Sequence, residues 1–223
     1  MINNDFKLNT NHNHKSDRGI YSISRPVQFD LRDYGFMGLM DKIKLAKRMA
    51  KWLNDNNGDF PAPYQRAYAI SHCQVSDNPY AFFVVSRDLI NEMKLFDTRA
   101  MSRKNYFFPS QVILNAKILV ATDKIEGKVP KREVTYDKDD RVGSRVIETD
   151  GLVHNKIMAP DCCMSFPDKK PKNVEVYYRI KVRYQIPAWY GLKTKTEWVE
   201  GLKAHIFQHE INHAHGKNIY YAK

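Results

Sequence analysis

Gln208-His209-Glu210-Ile211-Asn212-His213-Ala214-His215-Gly216 is the stretch that decides the fold, and it contains H-E-x-x-H. On an α-helix, residues four apart share a face and lie one turn apart. His209 and His213 can therefore turn two imidazoles toward one metal ion, while Glu210 beside them reaches a water on that ion. Val199, Leu202, Ile206, His209 and His213 recur at steps of 3, 4, 3 and 4, one helical stripe. The spacing predicts a helix whose apolar face carries the two histidines. Thr194 or Thr196 is placed to cap its start and Gly216 to stop it. The five motif residues alone also fit a helix whose histidines are merely packed or solvated.

Two histidines need a third ligand, because catalytic sites of the zinc type use three protein ligands and leave one position to water. Cys162 and Cys163 are candidate thiolates; His205 and His215 are candidate imidazoles. His205, His209 and His213 would form a row along one helix face, with the outer two ~12 Å apart by the rise per residue. That is too far for one ion whose bonds to nitrogen are ~2 Å long. The third ligand is expected from elsewhere in the chain.

The 223 residues, 43% of them hydrophobic, fit one domain with elaborations. No apolar run approaches the ~18 residues of a membrane span, so no membrane partner is expected. Met1 to His14 is rich in Asn and His without an apolar stretch, which argues against a secretory signal. Three cysteines, two of them adjacent, make no disulfide framework. A cytoplasmic, reduced setting is expected, with the thiols used for metal binding or catalysis. The net charge of +11 favours anionic partners such as RNA. The excess is spread along the chain, with no block that marks a nucleic-acid tail.

Taken in order, residues 1–30 read as a polar arm, whose His12 and His14 are expected to be bystanders. Residues 31–223 read as a single domain. A helix is predicted over Leu39–Asn54, with Leu45, Met49 and Trp52 on one face and Asn56-Asn57-Gly58 as its end. Ala67 to Val75 leads into a turn at Ser76-Asp77-Asn78-Pro79, and Ala81–Val85 reads as a buried strand. Gln74 sits where these meet; its neutral amide could bind a developing oxyanion, or lie on a surface loop. Gln111–Val120 reads as a strand interrupted near Asn115. Residues 121–157 read as an insertion, with a strand at Val129–Tyr136 and a possible hairpin. Val174–Tyr184 alternates as one half-exposed antiparallel strand. The metal helix should follow a turn at Gly191, with Ile219-Tyr220-Tyr221 as a last short strand. There is no internal repeat, P-loop or G-x-G-x-x-G.

The order of three segments resembles the peptide deformylase family, whose motifs are G-x-G-L-A-A-P-Q, E-G-C-L-S and Q-H-E-x-D-H. Gln208 to His213 is close to the third, with Asn212 at the usual Asp. Asp161-Cys162-Cys163-Met164-Ser165, followed by Phe166-Pro167, is similar to the second. Ala67 to Gln74 is a worn form of the first, and Leu114 to Ile118 resembles an N-P-x-I strand with Ala116 for Pro. The resemblance spans roughly residues 40–221. It implies an α+β fold of antiparallel sheets packed around a central H-E-x-x-H helix. It implies one divalent metal ion, usually iron(II) with zinc, nickel or cobalt able to substitute, held by Cys163, His209 and His213. Glu210 would be the general base, and Gln74 with the Met164 backbone N–H would hold the oxyanion. Ala69, Ile70 and Cys162 would border the substrate, an N-formylmethionyl nascent peptide bound extended beside a strand. The products would be formate and a free N-terminal Met. The chain stops short of the C-terminal helix by which many bacterial members contact the ribosome, leaving its basic charge as another route to that surface. Two other functions fit the motif. One is a zincin-type protease, which needs a ligand downstream of His213. The other is an inactive or RNA-binding relative with a structural metal, closed by Cys162 as a fourth ligand.

Overall fold

The computed structural model describes residues 6, 8, 21–31, 34–60, 66–96, 108–126, 129–136, 142–149 and 152–220. Helix α1 (Gly35–Asn56) starts ahead of the expected Leu39, from a left-handed Tyr34 at φ 60°. Leu39, Ile43, Ala46, Met49, Ala50 and Leu53 form its buried face at steps of 3 and 4. Trp52 packs edge-on against Phe60, with ring centroids 5.6 Å apart. Leu45 lies at the margin of this face rather than in it. In chain order there follow β1 (Ala69–Ser71), β2 (Phe82–Val85), α2 (Arg87–Phe96), β3 (Val112–Val120), β4 (Lys124–Glu126), β5 (Val129–Tyr136), β6 (Val142–Thr149) and β7 (Leu152–His154). The remaining elements are β8 (Lys156–Asp161), β9 (Lys172–Tyr177), β10 (Arg179–Ala188), β11 (Gly191–Glu200) and α3 (Gly201–Ala214).

The core is a five-stranded antiparallel sheet in the order β1-β2-β3-β10-β11, held between two helices. Successive side chains of a strand point to opposite faces. Phe82, Val84, Val112 and Leu114 thus pack on α1. Phe83, Val85, Ile113, Ile180, Val182 and Tyr184 meet Ile206, Phe207 and Ile211 of α3. The unbroken apolar run of β2 is buried on both sides, as expected of Ala81–Val85. This mixed α/β arrangement with antiparallel sheets agrees with the fold expected.

Asn115 interrupts β3 as its sequence suggested. Its φ is +50°, and the pairing with β10 shifts register beside it. Its side chain accepts the Val27 N–H at 2.8 Å and donates to Val27 O and Gln185 Oε1. The expected strand at Val129–Tyr136 pairs with β6 as a hairpin inside the 121–157 segment, and β4 pairs with β7.

Three expectations need correction. The Val174–Tyr184 run is two strands, not one. Tyr178 breaks it, donating its N–H to Asn155 O, so that β9 pairs with β8 while β10 joins the main sheet. The metal helix does not follow directly on Gly191. Thr194, Thr196 and Val199 lie in β11, where β-branched side chains suit the ladder they form with β10. Helix α3 starts only at Gly201, behind Glu200, with no side-chain cap. Leu202 is 41% exposed, so the buried stripe begins at Ile206. Ile219 and Tyr220 form bends rather than a strand. Tyr221, His12 and His14 lie outside the described residues.

Residues 21–30 are anchored. Ile23 bridges His215, Ser24 N–H donates to Ala214 O at 2.8 Å, Arg25 bridges Tyr80, and Val27 is fully buried. Gly216 ends α3 at φ +70°, and any Cβ there would stand 2.5 Å from Tyr21 O, so only glycine fits.

Candidate active site

Helix α3 turns His209 and His213 toward a turn that follows β8. Their Nε2 atoms lie 3.2 Å apart, and Cys163 Sγ lies 3.2 Å from His213 Nε2. The three donor atoms lie within 4.8 Å of one another. A tetrahedral ion with bonds to nitrogen of ~2.05 Å would separate two such nitrogens by ~3.3 Å, so the spacing suits a divalent ion. His213 Nδ1 is buried without a hydrogen-bond partner among the described residues, which leaves Nε2 as the working end of the ring. A soft thiolate with two imidazoles is a donor set for zinc, iron or their neighbours.

Cys163 and Cys162 have opposite surroundings. Cys163 is buried; Cys162 is exposed and stands outside the three-donor group. Burial would push the Cys163 thiol up, but the positive charge of His213 and hydrogen bonds from both histidines outweigh it and lower it to about 6. Burial, then the Asp161 carboxylate, pushes the Cys162 thiol up. A closed four-ligand site through Cys162 therefore finds no support in this arrangement.

Asp161, at the end of β8, fixes His209. Its Oδ2 lies 2.8 Å from His209 Nδ1, leaving Nε2 free to face Cys163 and His213. His205 Nε2 lies 3.1 Å from the same oxygen, without an aligned hydrogen bond. Burial opposes the ionised carboxyl, but contacts with His205 and His209 win and hold it well below the usual carboxylate range. In the same way burial opposes a charged His209, while the bonds to Asp161 and Cys163 raise it well above the ordinary imidazole. A carboxylate behind a ligand-type histidine sets its tautomer and orientation.

Glu210 is 4% exposed, and its Oε2 accepts the Ser71 hydroxyl at 2.5 Å. Gln74 closes a single 3₁₀ turn, His72–Gln74, after β1. Its Oε1 accepts the Ser71 N–H at 2.8 Å. Its Nε2 therefore points to Ser165 Oγ, at 3.1 Å, and to Cys163 Sγ, at 3.6 Å. Gln74 is thus buried rather than a surface residue. Ser71 and Ser165 were not singled out from the sequence. The available signal was alternation, which sets Ser71 on the Ala69 side of β1.

Most of these groups line one pocket of about 330 Å³, His213, Ser71 and Ser165 not being among its lining residues. Cys163, His209 and Glu210 share it with Gln74, Met164, Cys162 and Ala69. Tyr68, Leu202 and Ile206 add apolar wall, and Arg66 and His205 add polar wall, none of them chosen from the sequence as pocket residues. Ile70 stands apart: it is fully buried in the α1 cluster and does not line the pocket. β1 is the edge strand beside the pocket, and among the described residues no strand pairs with its outer side, where an extended chain could lie. His72 is sandwiched between the Tyr80 and Phe82 rings, at 5.9 and 4.5 Å, and its Nδ1 accepts the Tyr80 N–H.

A family model described as polypeptide deformylase matches residues 94–222, more than half of the chain. No curated protein matches the sequence at a significant level. Among solved structures, the chain is similar to peptide deformylase from Thermotoga maritima, at 20% identity and a TM-score of 0.52, covering 96% of this chain and 94% of that one. It is similar to a peptide deformylase from Legionella pneumophila, at 17% identity and a TM-score of 0.51, covering 96% and 82%. It is also similar to a peptide deformylase from Synechococcus elongatus in complex with actinonin, at 14% identity and a TM-score of 0.50, covering 97% and 79%. At such identities the likeness is one of fold.

Proposed function

This chain belongs to the polypeptide deformylase family, and from that premise we propose that it removes the formyl group from N-formylmethionine at the start of newly made polypeptides, releasing formate. One observation carries the reading. A thiolate and two imidazoles converge within 4.8 Å of one another, and two of the three, Cys163 and His209, line a pocket with a buried glutamate and a buried glutamine.

Cys163, His209 and His213 would hold one divalent ion, iron(II) first, with zinc, nickel or cobalt as substitutes. When bound, that ion supplies Lewis-acid activation of water at neutral pH. Glu210 takes the proton of the attacking water and passes it to the leaving amine. Ser71 occupies Glu210 Oε2, which leaves Oε1 to act as the proton acceptor. The Gln74 amide and the Met164 N–H donate to the oxygen that becomes negative as the formyl carbon turns tetrahedral. Asp161 keeps His209 in the orientation the ion needs. The peptide lies extended along edge strand β1, with Ala69 and Cys162 at its sides. The substrates are cytoplasmic nascent chains, and the +11 charge supports an approach to the anionic ribosome.

The test is formate release from a formyl-Met peptide by protein reconstituted with iron(II) without oxygen. Glu210→Ala should retain the metal and lose turnover by about 10²–10⁴-fold. Turnover retained in that variant removes Glu210 as the base. A fully metal-loaded wild type that releases no formate overturns the reading.

A further inference from the structure

Helix α1 covers only part of its face of the sheet. The register places Gln185 opposite Leu114, which packs on α1, and Arg183 opposite Lys117 on the same face. Lys181 continues that face and pairs with Trp198 of β11. Pro26–Phe29 reaches the Asn115–Gln185 end of this half, and Lys117 and Arg183 beyond it are exposed.

Like charges directly opposite in a ladder repel, yet Lys117 and Arg183 face each other with no carboxylate within ion-pair distance among the described residues. The acids of β11 are committed elsewhere. Glu197 accepts from Tyr184 and Lys203, and Glu200 pairs with Arg179. Lys181 Nζ lies 6.0 Å from the centroid of the Trp198 ring, which is 36% exposed. A cleft of about 750 Å³ opens on the same face, lined by Lys117, Arg183, Gln185, Thr194 and Phe29. At the tip of the β10–β11 turn stand Trp189, 91% exposed, and Tyr190, 52% exposed.

Unneutralised cations along strands with exposed rings between them are what a single-stranded nucleic acid requires. Its phosphates follow the charges and its bases stack on the aromatics. A membrane surface would want all the rings gathered at one level; Trp189 and Tyr190 meet at the turn tip, but Trp198 stands near the far end of the same strands, beside Lys181. We propose that the Lys117–Lys181–Arg183 face, with Trp198 as its stacking platform, binds single-stranded RNA. The face is separate from the pocket, because α3 and the pocket lie on the other side of the sheet.

The experiment is fluorescence anisotropy of a labelled single-stranded RNA of about 12 nucleotides, a length within the range that such modules cover, over a series of salt concentrations. The full-length wild type should bind. Lys117→Gln/Lys181→Gln/Arg183→Gln should reduce the slope of log affinity against log salt by about 2, at ~0.7 per phosphate contact. Trp198→Ala should weaken binding about tenfold while leaving that slope unchanged. Lys44→Gln/Lys51→Gln, which changes lysines paired with Asp41 and Asp55 on α1, should bind as wild type does. Thermal melting checks that each variant is folded. The proposal is overturned by a wild type that does not bind, or by an unchanged slope in the folded triple variant. Equal binding to duplex RNA or to phosphatidylserine vesicles overturns it as well.

Discussion

Cys163 and Cys162 are neighbours in sequence, and spacing alone gives no reason to prefer either. The difference comes from β8, which ends at Asp161 and turns so that one thiol is buried against two imidazoles and the other faces solvent. Resemblance named Cys163, and the geometry gathers the same residue with His209 and His213. Cys163→Ala should therefore empty the site on metal analysis while Cys162→Ala keeps it full; the reverse result would move the ligand by one position. Cys162 stands where the family has glycine, yet its backbone is ordinary, since Tyr34 and Asn115 are the only described non-glycine residues at positive φ. Ile70 was misjudged for a simple reason. Alternation turns it away from Ala69 and Ser71, into the α1 core. His72 carries a pH signature. Burial, then the nearby Arg25 charge, lowers it from 6.5 to about 4. Between those values the unfolded chain binds the proton and the folded chain does not, so stability falls as pH drops from about 6.5 to about 4. The loss should be about 3 kcal/mol at 1.36 kcal/mol per pH unit. Denaturant titrations across this range should show it in the wild type and not in His72→Asn.

At the scale of elements, helix–sheet order was legible wherever periodicity had no rival. The β2 run and the break at Asn115 stood out for that reason, while the Val129–Tyr136 strand showed only a partial alternation. The start of α3 did not. Val199, Leu202 and Ile206 fit a helical stripe by spacing, while Thr194, Thr196 and Trp198 equally fit a strand, and pairing with β10 decides for the strand. Two predictions belong here. Gly216→Ala sets a Cβ against Tyr21 O and forces L-residue strain at φ +70°. It should cost about 1–3 kcal/mol in urea unfolding and loosen residues 21–25 on hydrogen exchange. Glu197→Ala removes the acceptor shared by Tyr184 OH, at 2.6 Å, and the fully buried Lys203 Nζ, at 2.7 Å. Taking the carboxylate from a buried ammonium should cost about 3–5 kcal/mol, and a loss under 1 kcal/mol in the same assay would show that the other contacts of Lys203, the Phe108 ring among them, are enough to hold it.

For the whole molecule, the matched family span begins at residue 94 and leaves out the worn Ala67–Gln74 segment. Even so, that segment supplies Gln74 to the pocket and Ser71 to Glu210, because pairing of β1 with β2 fixes the turn beside α3 whatever its motif has lost. If the three donors hold an ion, binding stabilises the folded state by mass action, about 2.7 kcal/mol at a hundredfold excess over Kd. A chelator should lower the Tm of the wild type and leave that of Cys163→Ala unmoved. The N-terminal segment was legible only as polar, since much of its anchoring is made by backbone atoms that leave no trace in composition, with Val27 buried beside them. Arg25 N–H donates to Pro79 O, Arg25 O accepts the Ala81 N–H, and Ser24 N–H donates to Ala214 O. One short piece of chain therefore latches the last turn of α3 to the loop behind His72. A shortened version beginning at Pro26 would undo both ties in one stroke, and so any trimming for crystals or fusions must stop ahead of Tyr21.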